Sequence, residues 1–475
     1  MLNQKKTKIV ATVGPATSTK EILLQIIEEG VNVIRINFSH GNYEDHKSVV
    51  NYVKQINKEN HIHTAILADL QGPKIRIGEI EGGSVKVKKG QDLCFTNKQV
   101  KGSAEKVYMS YADFPKDVEK GEKILIDDGK LALRIIETDG KSEVIAKFLN
   151  DGTLSSHKGV NLPNTRISMP SLTEKDLEDL EFALSLNVEY IGLSFVRNAQ
   201  DLVELKNIIK SVNKTAKVIA KIEKPEAIED IDNIIAETDA IMVARGDLGV
   251  EIPMEKVPLI QKSIVKKCLK ASKPVIIATQ MMESMMDNIS PTRAEVNDVA
   301  NAVLDGADAV MLSGETSIGK YPVQVIKAMT KIIMQIEEED SIYHLESPPE
   351  MEGERFLSNS ICYNACRLAY RSNANAIVTM THTGYTATKV SSFRPKAGIF
   401  VFTGNHNLLN KLSLVWGVRG FYYDKFVSTD HTFADIMFIL RKNGYLVKND
   451  LIINIASMPI NERGESNMLK ISYVD

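Results

Sequence analysis

The sequence predicts an α/β chain: a (β/α)8 TIM barrel with an inserted small β-barrel lid domain and a C-terminal open-sheet α/β domain. Three observations predict it. Short β-branched runs alternate with amphipathic stretches over the first 340 residues, the pattern of parallel βαβ units. The stretch 71–162 breaks that rhythm with short alternating segments and turn dipeptides. After the acidic run Glu337–Asp340 and the breaker cluster Ser347-Pro348-Pro349, strand and helix patterns resume. The predicted boundaries are 1–70 and 163–340 for the barrel, 71–162 for the insert and 341–475 for the last domain.

The predicted barrel strands are Ile9–Val13, Val31–Asn37, Thr64–Asp69, Tyr190–Ser194, Lys217–Glu223, Ala240–Ala244, Pro274–Gln280 and Ala309–Gly314. Helical patterns lie between most of them: Lys20–Glu29, Tyr43–Lys58, Glu174–Leu186, Asp201–Val212 and Lys256–Ala271. Eight such runs suit a closed barrel better than an open sheet. Inside the insert, Ser84–Lys88 and Lys123–Asp127 read as strands, and Gly82-Gly83, Asp128-Gly129, Asp139-Gly140 and Asp151-Gly152 as turns. A domain joined by two strands of chain can move as a lid. The last domain offers Phe356–Tyr370 as a helix and Ala376–Met380, Ile399–Phe402, Val418–Tyr422 and Leu451–Ile455 as strands.

Composition narrows the function classes. Of 475 residues, 43% are apolar and 25% charged, which is ordinary for a soluble globular protein. The 58 basic and 61 acidic residues give a net charge of −3, so there is no overall electrostatic footprint for nucleic acid. No apolar run approaches membrane-spanning length. The apolar stretch after the first lysines, Ile9–Val13, is too short for a signal-peptide core. Cys94, Cys268, Cys362 and Cys366 lack metal-ligand spacing and read as thiols in a reducing cytoplasm.

Polar residues gather at the predicted C-terminal strand ends, the active-site face of such a barrel. Arg35, Asn37 and Ser39 share one face if strand geometry persists. An arginine beside two neutral oxygen donors suits a phosphate and a cation; an arginine paired with a nearby carboxylate is the plain alternative. Lys221 and Glu223 also share a face. They suit a transferring phosphoryl group and a divalent metal, or simply a strand-end ion pair. In Met242–Gly249 an apolar run enters a glycine-rich turn holding Asp247, a second potential metal ligand. A short helix there would offer N–H groups to an anion; a capping aspartate is the competing reading. Gly314–Lys320 has P-loop spacing, but Tyr321 replaces the magnesium-binding hydroxyl, so it reads as a loop. The methionines of 281–286 read as packing.

In this order the segments resemble the pyruvate kinase family. The motifs are INFSHG at Ile36–Gly41, GPKIR at Gly72–Arg76, KGVNLP at Lys158–Pro163 and KIE at Lys221–Glu223. They continue with MVARGDLG at Met242–Gly249, ATQMMESM at Ala278–Met285 and SGET at Ser313–Thr316. The resemblance implies phosphoryl transfer from phosphoenolpyruvate to ADP, giving pyruvate and ATP, the last ATP-forming step of glycolysis. It implies that Glu223 and Asp247 ligate Mg2+, with Mn2+ able to substitute, and that a second ion arrives with the nucleotide. Lys221 would stabilise the transferring phosphoryl group and Arg35 would hold the phosphate. Gly246, Asp247 and the Thr279 hydroxyl would hold the carboxylate, with Thr279 a candidate for the proton relay to the enolate. Asn37, Ser39, His40, Arg76 and Lys158 would approach the nucleotide. Another barrel enzyme acting on a 2-oxo acid would not need the insert or Lys158. A catalytically silent relative would be expected to lose Lys221 or Glu223.

The resemblance further implies a homotetramer with a phosphorylated allosteric effector. Thr381-His382-Thr383-Gly384-Tyr385-Thr386-Ala387 resembles the family's phosphate-binding loop. Glu462, Arg463 and Glu465 in Asn461–Asn467 leave fructose bisphosphate, a sugar monophosphate and AMP all open. Potassium in many members binds near the equivalents of Asn37, Ser39, Asp69 and Leu70. Where those members read DTKGPEIRT, this chain has Leu70, Gln71, Lys74 and Ile77 at the differing positions. This pattern resembles the bacterial, lysine-containing, potassium-independent group. A tethered ammonium at Lys74 can supply the charge of a bound potassium.

Overall fold

The structure, a computed structural model, describes residues 5–212, 214–344, 348–350, 353–425, 428–458 and 464–475. Eight parallel strands close into a barrel: Lys8–Thr12, Val33–Asn37, Ala65–Asp69, Tyr190–Leu193, Lys217–Ile222, Ala240–Ala244, Val275–Ala278 and Ala309–Leu312. Each follows its predecessor around the ring, and the eighth pairs with the first. The β-branched runs form buried strands because helices cover them outside and side chains fill them inside. Alternation points Val10, Val33, Leu67, Ile219, Met242, Ile276 and Met311 into the interior cluster. The residues between them pack on the surrounding helices.

The predicted helices form with small end shifts, for example Lys20–Glu28 and Val257–Ala271. Two begin with full capping boxes, Thr173 with Asp176 and Thr292 with Glu295, each satisfying otherwise orphaned N–H groups. Met281, Met282 and Met285 are wholly buried in the barrel's outer core. The segment read as a loop at Gly314–Lys320 is corrected: Gly314–Ser317 forms a helical turn, and a longer helix starts at Pro322. Proline suits a first helical turn, where its missing N–H costs nothing.

After the third barrel strand the chain leaves the barrel. It builds a six-stranded sheet and a two-stranded ribbon around one apolar core. Asp128-Gly129 and Asp139-Gly140 lie at hairpin turns. Gly82-Gly83 and Asp151-Gly152 do not. They lead into Ser84–Val87 and Gly152–Ser155, which pair with each other across the sequence, a non-local pairing that no dipeptide announces.

The last sheet runs Val418–Tyr422, Gly398–Thr403, Ala376–Met380, Leu451–Ala456 and Met468–Tyr473. Its antiparallel edge strand, Met468–Tyr473, has no counterpart in the sequence reading. It is largely exposed and its apolar alternation is weak. This unit sits under the barrel floor. Leu414 enters the barrel's interior cluster, Tyr190 Oη donates to Lys411 O at 2.6 Å, and Lys8 Nζ donates to Val418 O at 2.9 Å. Ser347, Glu462 and Arg463 lie outside the described residues.

Candidate active site

At the mouth of the barrel the inward alternation that buries Val33, Leu67 and Ile219 places Arg35, Asp69 and Lys221 one step further along the same strands. Arg35 Nε and Nη2 both reach Asp69 Oδ2 at 2.6 Å, and Nη1 donates to Thr12 Oγ1 at 2.9 Å. Lys221 Nζ lies 2.9 Å from Glu223 Oε1, 3.3 Å from Asp69 Oδ1 and 2.7 Å from Ser194 Oγ. Both plain alternatives are therefore present: Arg35 is paired with a carboxylate, and Lys221 with Glu223. Buried pairs of this kind keep their charge because each penalty of burial is met by a partner. Burial works against the Lys221 ammonium, but Asp69 and Glu223 hold its pKa well above the lysine range. Burial raises the Asp69 pKa, and Lys221 and Arg35 more than reverse this.

Glu223 Oε2 accepts the Phe195 N–H at 2.9 Å, and Ser194 Oγ donates to Leu70 O at 2.7 Å. The residues that fix the charged cluster are thus bonded to the point where the chain leaves for the lid. Gly72 sits there at φ +71°. A Cβ at this position would lie 2.8 Å from Phe195 Cδ2, so the exit admits only glycine without rearrangement.

The helix Arg245–Glu251 starts directly at the end of the sixth strand. Asp247 makes no cap bond, so the capping alternative is not realised. Its side chain is reached by solvent although protein atoms crowd around it. Burial, then Glu223, push its pKa up to about 6. Gly246 N donates to Thr279 Oγ1 at 2.7 Å. A Cβ on Gly246 would stand 3.3 Å from that oxygen and crowd the approach. Thr279 holds φ +67° and Gln280 φ +54°. A β-branched residue in the left-handed region costs on the order of 1–3 kcal/mol and persists only where its surroundings impose it.

The nucleotide candidates divide between barrel and lid. Ser39 is not on the strand face: the strand ends at Asn37, and Ser39 N donates to Asn37 Oδ1 at 3.1 Å in the following turn. Arg76 and Gly159 form an isolated bridge, which brings Arg76 and Lys158 to neighbouring lid segments. Arg76 Nη1 donates to His157 O at 3.0 Å, and Lys158 pairs with Asp127 at 2.9 Å. Burial, Lys74, Arg76 and Arg35 all lower the His40 pKa, so these cations share one field over the mouth. Lys74 is exposed. Burial and Arg76 lower its pKa, whereas Asp247 and Glu223 raise it.

Several partners have no signal of their own in the sequence: Thr12, Ser194, Asp298, and Glu251, whose Oε1 takes Lys224 Nζ at 2.6 Å and Asn161 Nδ2 at 2.8 Å. Arg245 lies inside a quoted motif, but the sequence reading gave it no role. The Thr381–Thr386 loop belongs to the last sheet, not to the mouth. There Gly384 at φ +88° precedes the helix Tyr385–Ser392, Gly384 N donates to Thr381 Oγ1 at 3.0 Å, and buried Thr386 lies 3.0 Å from Ser466 Oγ.

Residues 4–326 match the family model for the pyruvate kinase barrel domain, and residues 359–472 that for the pyruvate kinase alpha/beta domain. Pyruvate kinase 2 of Synechocystis is 42% identical over 99% of this chain and 79% of its own length. Pyruvate kinase of Clostridium acetobutylicum is 40% identical over 99% of this chain and all of its own. A crystal structure of a pyruvate kinase from Cryptosporidium parvum superposes with a TM-score of 0.93 at 35% identity, covering 100% of this chain and 97% of that one.

Proposed function

The chain belongs to the pyruvate kinase family, and from that premise we propose the roles its own residues take. It transfers phosphate from phosphoenolpyruvate to ADP and works with a divalent metal. The observation that carries the assignment of roles is the Lys221 ammonium, held charged between Asp69 and Glu223 at the barrel mouth. In phosphoryl transfer the protein mainly positions groups and neutralises charge. Lys221 faces the phosphoryl group in flight. Arg35, kept rigid by Asp69 and Thr12, binds its oxygens. Gly246 N–H, Asp247 N–H and Thr279 Oγ1 bind the carboxylate. In the free enzyme Thr279 Oγ1 itself satisfies Gly246 N–H, so the incoming carboxylate takes over a bond already aimed at it.

Glu223 and Asp247 fit a divalent metal, and we assign it as Mg2+, with Mn2+ able to substitute. Burial first, and then the neighbouring carboxylates of Glu223 and Asp128, raise the pKa of Asp247; a cation would relieve the repulsive part. Among the described residues there is no cluster of three or more such ligands. Two carboxylates would hold the ion and leave room for substrate and water beside it. When bound, the metal polarises phosphoryl and enolate oxygens. The phosphorus–oxygen bond of phosphoenolpyruvate breaks as a terminal oxygen of ADP takes the phosphoryl group. The enolate is then protonated at carbon, with Thr279 in the relay. Asn37, Ser39, His40, Arg76 and Lys158 hold the nucleotide, the last two from the lid, whose closure excludes water.

Potassium is not required in this reading. Arg35 and Lys221 already neutralise Asp69, and Lys74 places a further cation over the mouth. A cytoplasmic homotetramer completes the reading, with a phosphorylated effector held by Thr381, Thr383, Gly384, Tyr385 and Thr386. Among the described residues no helix is long and apolar enough to cross a membrane, and no nucleic-acid partner is proposed. A coupled assay following pyruvate from phosphoenolpyruvate and ADP tests the whole. Activity that needs Mg2+ but not K+ is expected, and its absence would sink the assignment. Sizing by light scattering tests the tetramer. Titration of fructose bisphosphate, a sugar monophosphate and AMP against a substrate-saturation curve tests the effector; no response to any of them would remove that site.

A further inference from the structure

We infer that Arg245 and Asp298 are positioning residues that set the substrate-binding geometry of Thr279. Thr279 and Gln280 are consecutive non-glycine residues in the left-handed region, a conformation that relaxes unless it is held. One guanidinium grips this corner. Arg245 Nη2 donates to Thr279 O at 2.8 Å, Nε reaches Ala278 O at 3.4 Å, and Nη2 lies 2.9 Å from Met281 Sδ. The guanidinium is fixed in turn by a bidentate pair with Asp298, at 2.7 Å from Nη1 and 2.6 Å from Nη2.

The clamp spans three elements. Arg245 opens the helix that carries Gly246 and Asp247, the corner follows the seventh strand, and Asp298 lies in the helix Arg293–Leu304. Because Arg245 immediately precedes Gly246, the same residue fixes both ends of the 2.7 Å bond between Gly246 N and Thr279 Oγ1. A planar fork with five donors can hold two carbonyls and a carboxylate at once. An ammonium cannot match that geometry. Met281 adds a soft contact on the same nitrogen, and Gln261 lies 3.5 Å from Nη1, at the limit of a hydrogen bond. Neither replaces the carboxylate that orients the fork.

This inference rests on the reading of Thr279 as a carboxylate ligand, and its test separates the two. The KM for phosphoenolpyruvate and for ADP is measured in Asp298→Ala, Asp298→Glu, Thr279→Ala and the Asp298→Ala/Thr279→Ala double variant, with the thermal midpoint of each. Asp298→Ala is expected to raise the phosphoenolpyruvate KM about tenfold, leave the ADP KM unchanged, and be largely rescued by Asp298→Glu. In the double variant the loss is expected not to exceed that of Thr279→Ala, because residues acting through one group are non-additive. Asp298→Asn, which keeps the side chain's shape, replaces the alanine variant if the latter does not fold. An unchanged phosphoenolpyruvate KM, a parallel rise for ADP, or full additivity overturns the positioning role. If Thr279→Ala itself leaves the phosphoenolpyruvate KM unchanged, the carboxylate reading fails and the clamp has nothing to position.

Discussion

The first barrel strand carries Lys8 to the barrel floor and Thr12 to its mouth, and the lysines at these two ends are held differently. At the mouth, Lys221 lies among Asp69, Glu223 and Ser194 and stays charged. At the floor, Lys8 donates to Val418 O. Lys6 gives its ammonium to three carbonyls, those of Pro395, Lys396 and Ala397, at 3.1, 2.8 and 3.0 Å. Burial lowers Lys8 to about 7 and Lys6 to about 8, with Glu337 opposing the shift in both. Carbonyls offer an ammonium only dipoles, whereas carboxylates supply the opposite charge that keeps it protonated. The mouth keeps a charge ready for a ligand, and the floor uses lysines to pin one domain under another.

The largest expected effect breaks the mouth alone. Lys221→Met should lower turnover by roughly two to three decades, about 2.7–4 kcal/mol for a positioned charge at a transition state. The folded structure should remain. Near-wild-type turnover of the purified variant would remove Lys221 from the mechanism.

Lys8→Met should do the reverse, leaving turnover intact and changing how stability depends on pH. The folded pKa of about 7 lies below the ordinary lysine value of 10.5, so between these values the unfolded chain binds more protons. Stability therefore rises with pH across this window, and the Lys8 contribution is lost as pH falls toward 7. One proton accounts for a slope of up to about 1.4 kcal/mol per pH unit. The variant should show a shallower slope and a gain near pH 7. Urea unfolding can be followed through Trp416, the single tryptophan, which is 2% exposed and lies against Lys6 and Arg394. An unchanged slope would mean that Lys8 is charged in the fold.

A smaller effect sharpens the charge balance at the mouth. Lys74→Glu reverses a charge that Asp247 and Glu223 feel. The wild type should be fully active without potassium or sodium, with a tetraalkylammonium salt holding ionic strength. The variant should become several-fold dependent on potassium. Strong potassium activation of the wild type would show that Lys74 does not replace the ion.

What was legible in the sequence follows the same division. The barrel strands could be read because buried parallel strands are β-branched runs, and Ala240–Ala244 forms over the predicted span. Lys221 with Glu223 was visible because period-two spacing puts both at one strand end. Ser39 was misplaced because nothing local says that the strand stops at Asn37. Thr12, Ser194 and Asp298 were invisible as partners because each contact crosses between strands or helices, and inter-strand register is not written in either segment. The left-handed Thr279 was unreadable for a sharper reason. Threonine is a poor choice there by its own preference, and its partners Arg245 and Gly246 are set beside it only by the fold. The floor lysines read merely as a basic N-terminus, since the carbonyl partners of Lys6 and Lys8 lie 389 to 410 residues away in the chain.

The smallest expected effect returns to the floor. Glu189 is 8% exposed where the fourth strand meets the last domain. Its Oε2 accepts the Ile66 N–H at 2.8 Å and its Oε1 accepts Asn410 Nδ2 at 2.9 Å. Burial raises its pKa even though Asn410, Ile66 and Lys54 favour the ionised form. A raised carboxyl pKa stabilises the fold fully below the unfolded pKa, and that contribution is lost as pH rises through the folded pKa. Burial thus opposes the ionised form of this carboxyl in the fold. Glutamine is nearly isosteric. Its oxygen can accept from Ile66, and its amide can donate to Asn410 once that side chain turns its own oxygen inward. The exchange keeps two hydrogen bonds and removes the charge. Glu189→Gln should thus stabilise the joint by about 0.5–1 kcal/mol at pH 7, within the range of a net hydrogen-bond contribution, and by nothing near pH 4, where the wild-type carboxyl is already protonated. Trp416 fluorescence during urea unfolding at the two pH values measures the difference. A loss of stability at pH 7 would show that the floor, like the mouth, depends on a carboxylate charge, and the contrast between the two ends would fail at Glu189.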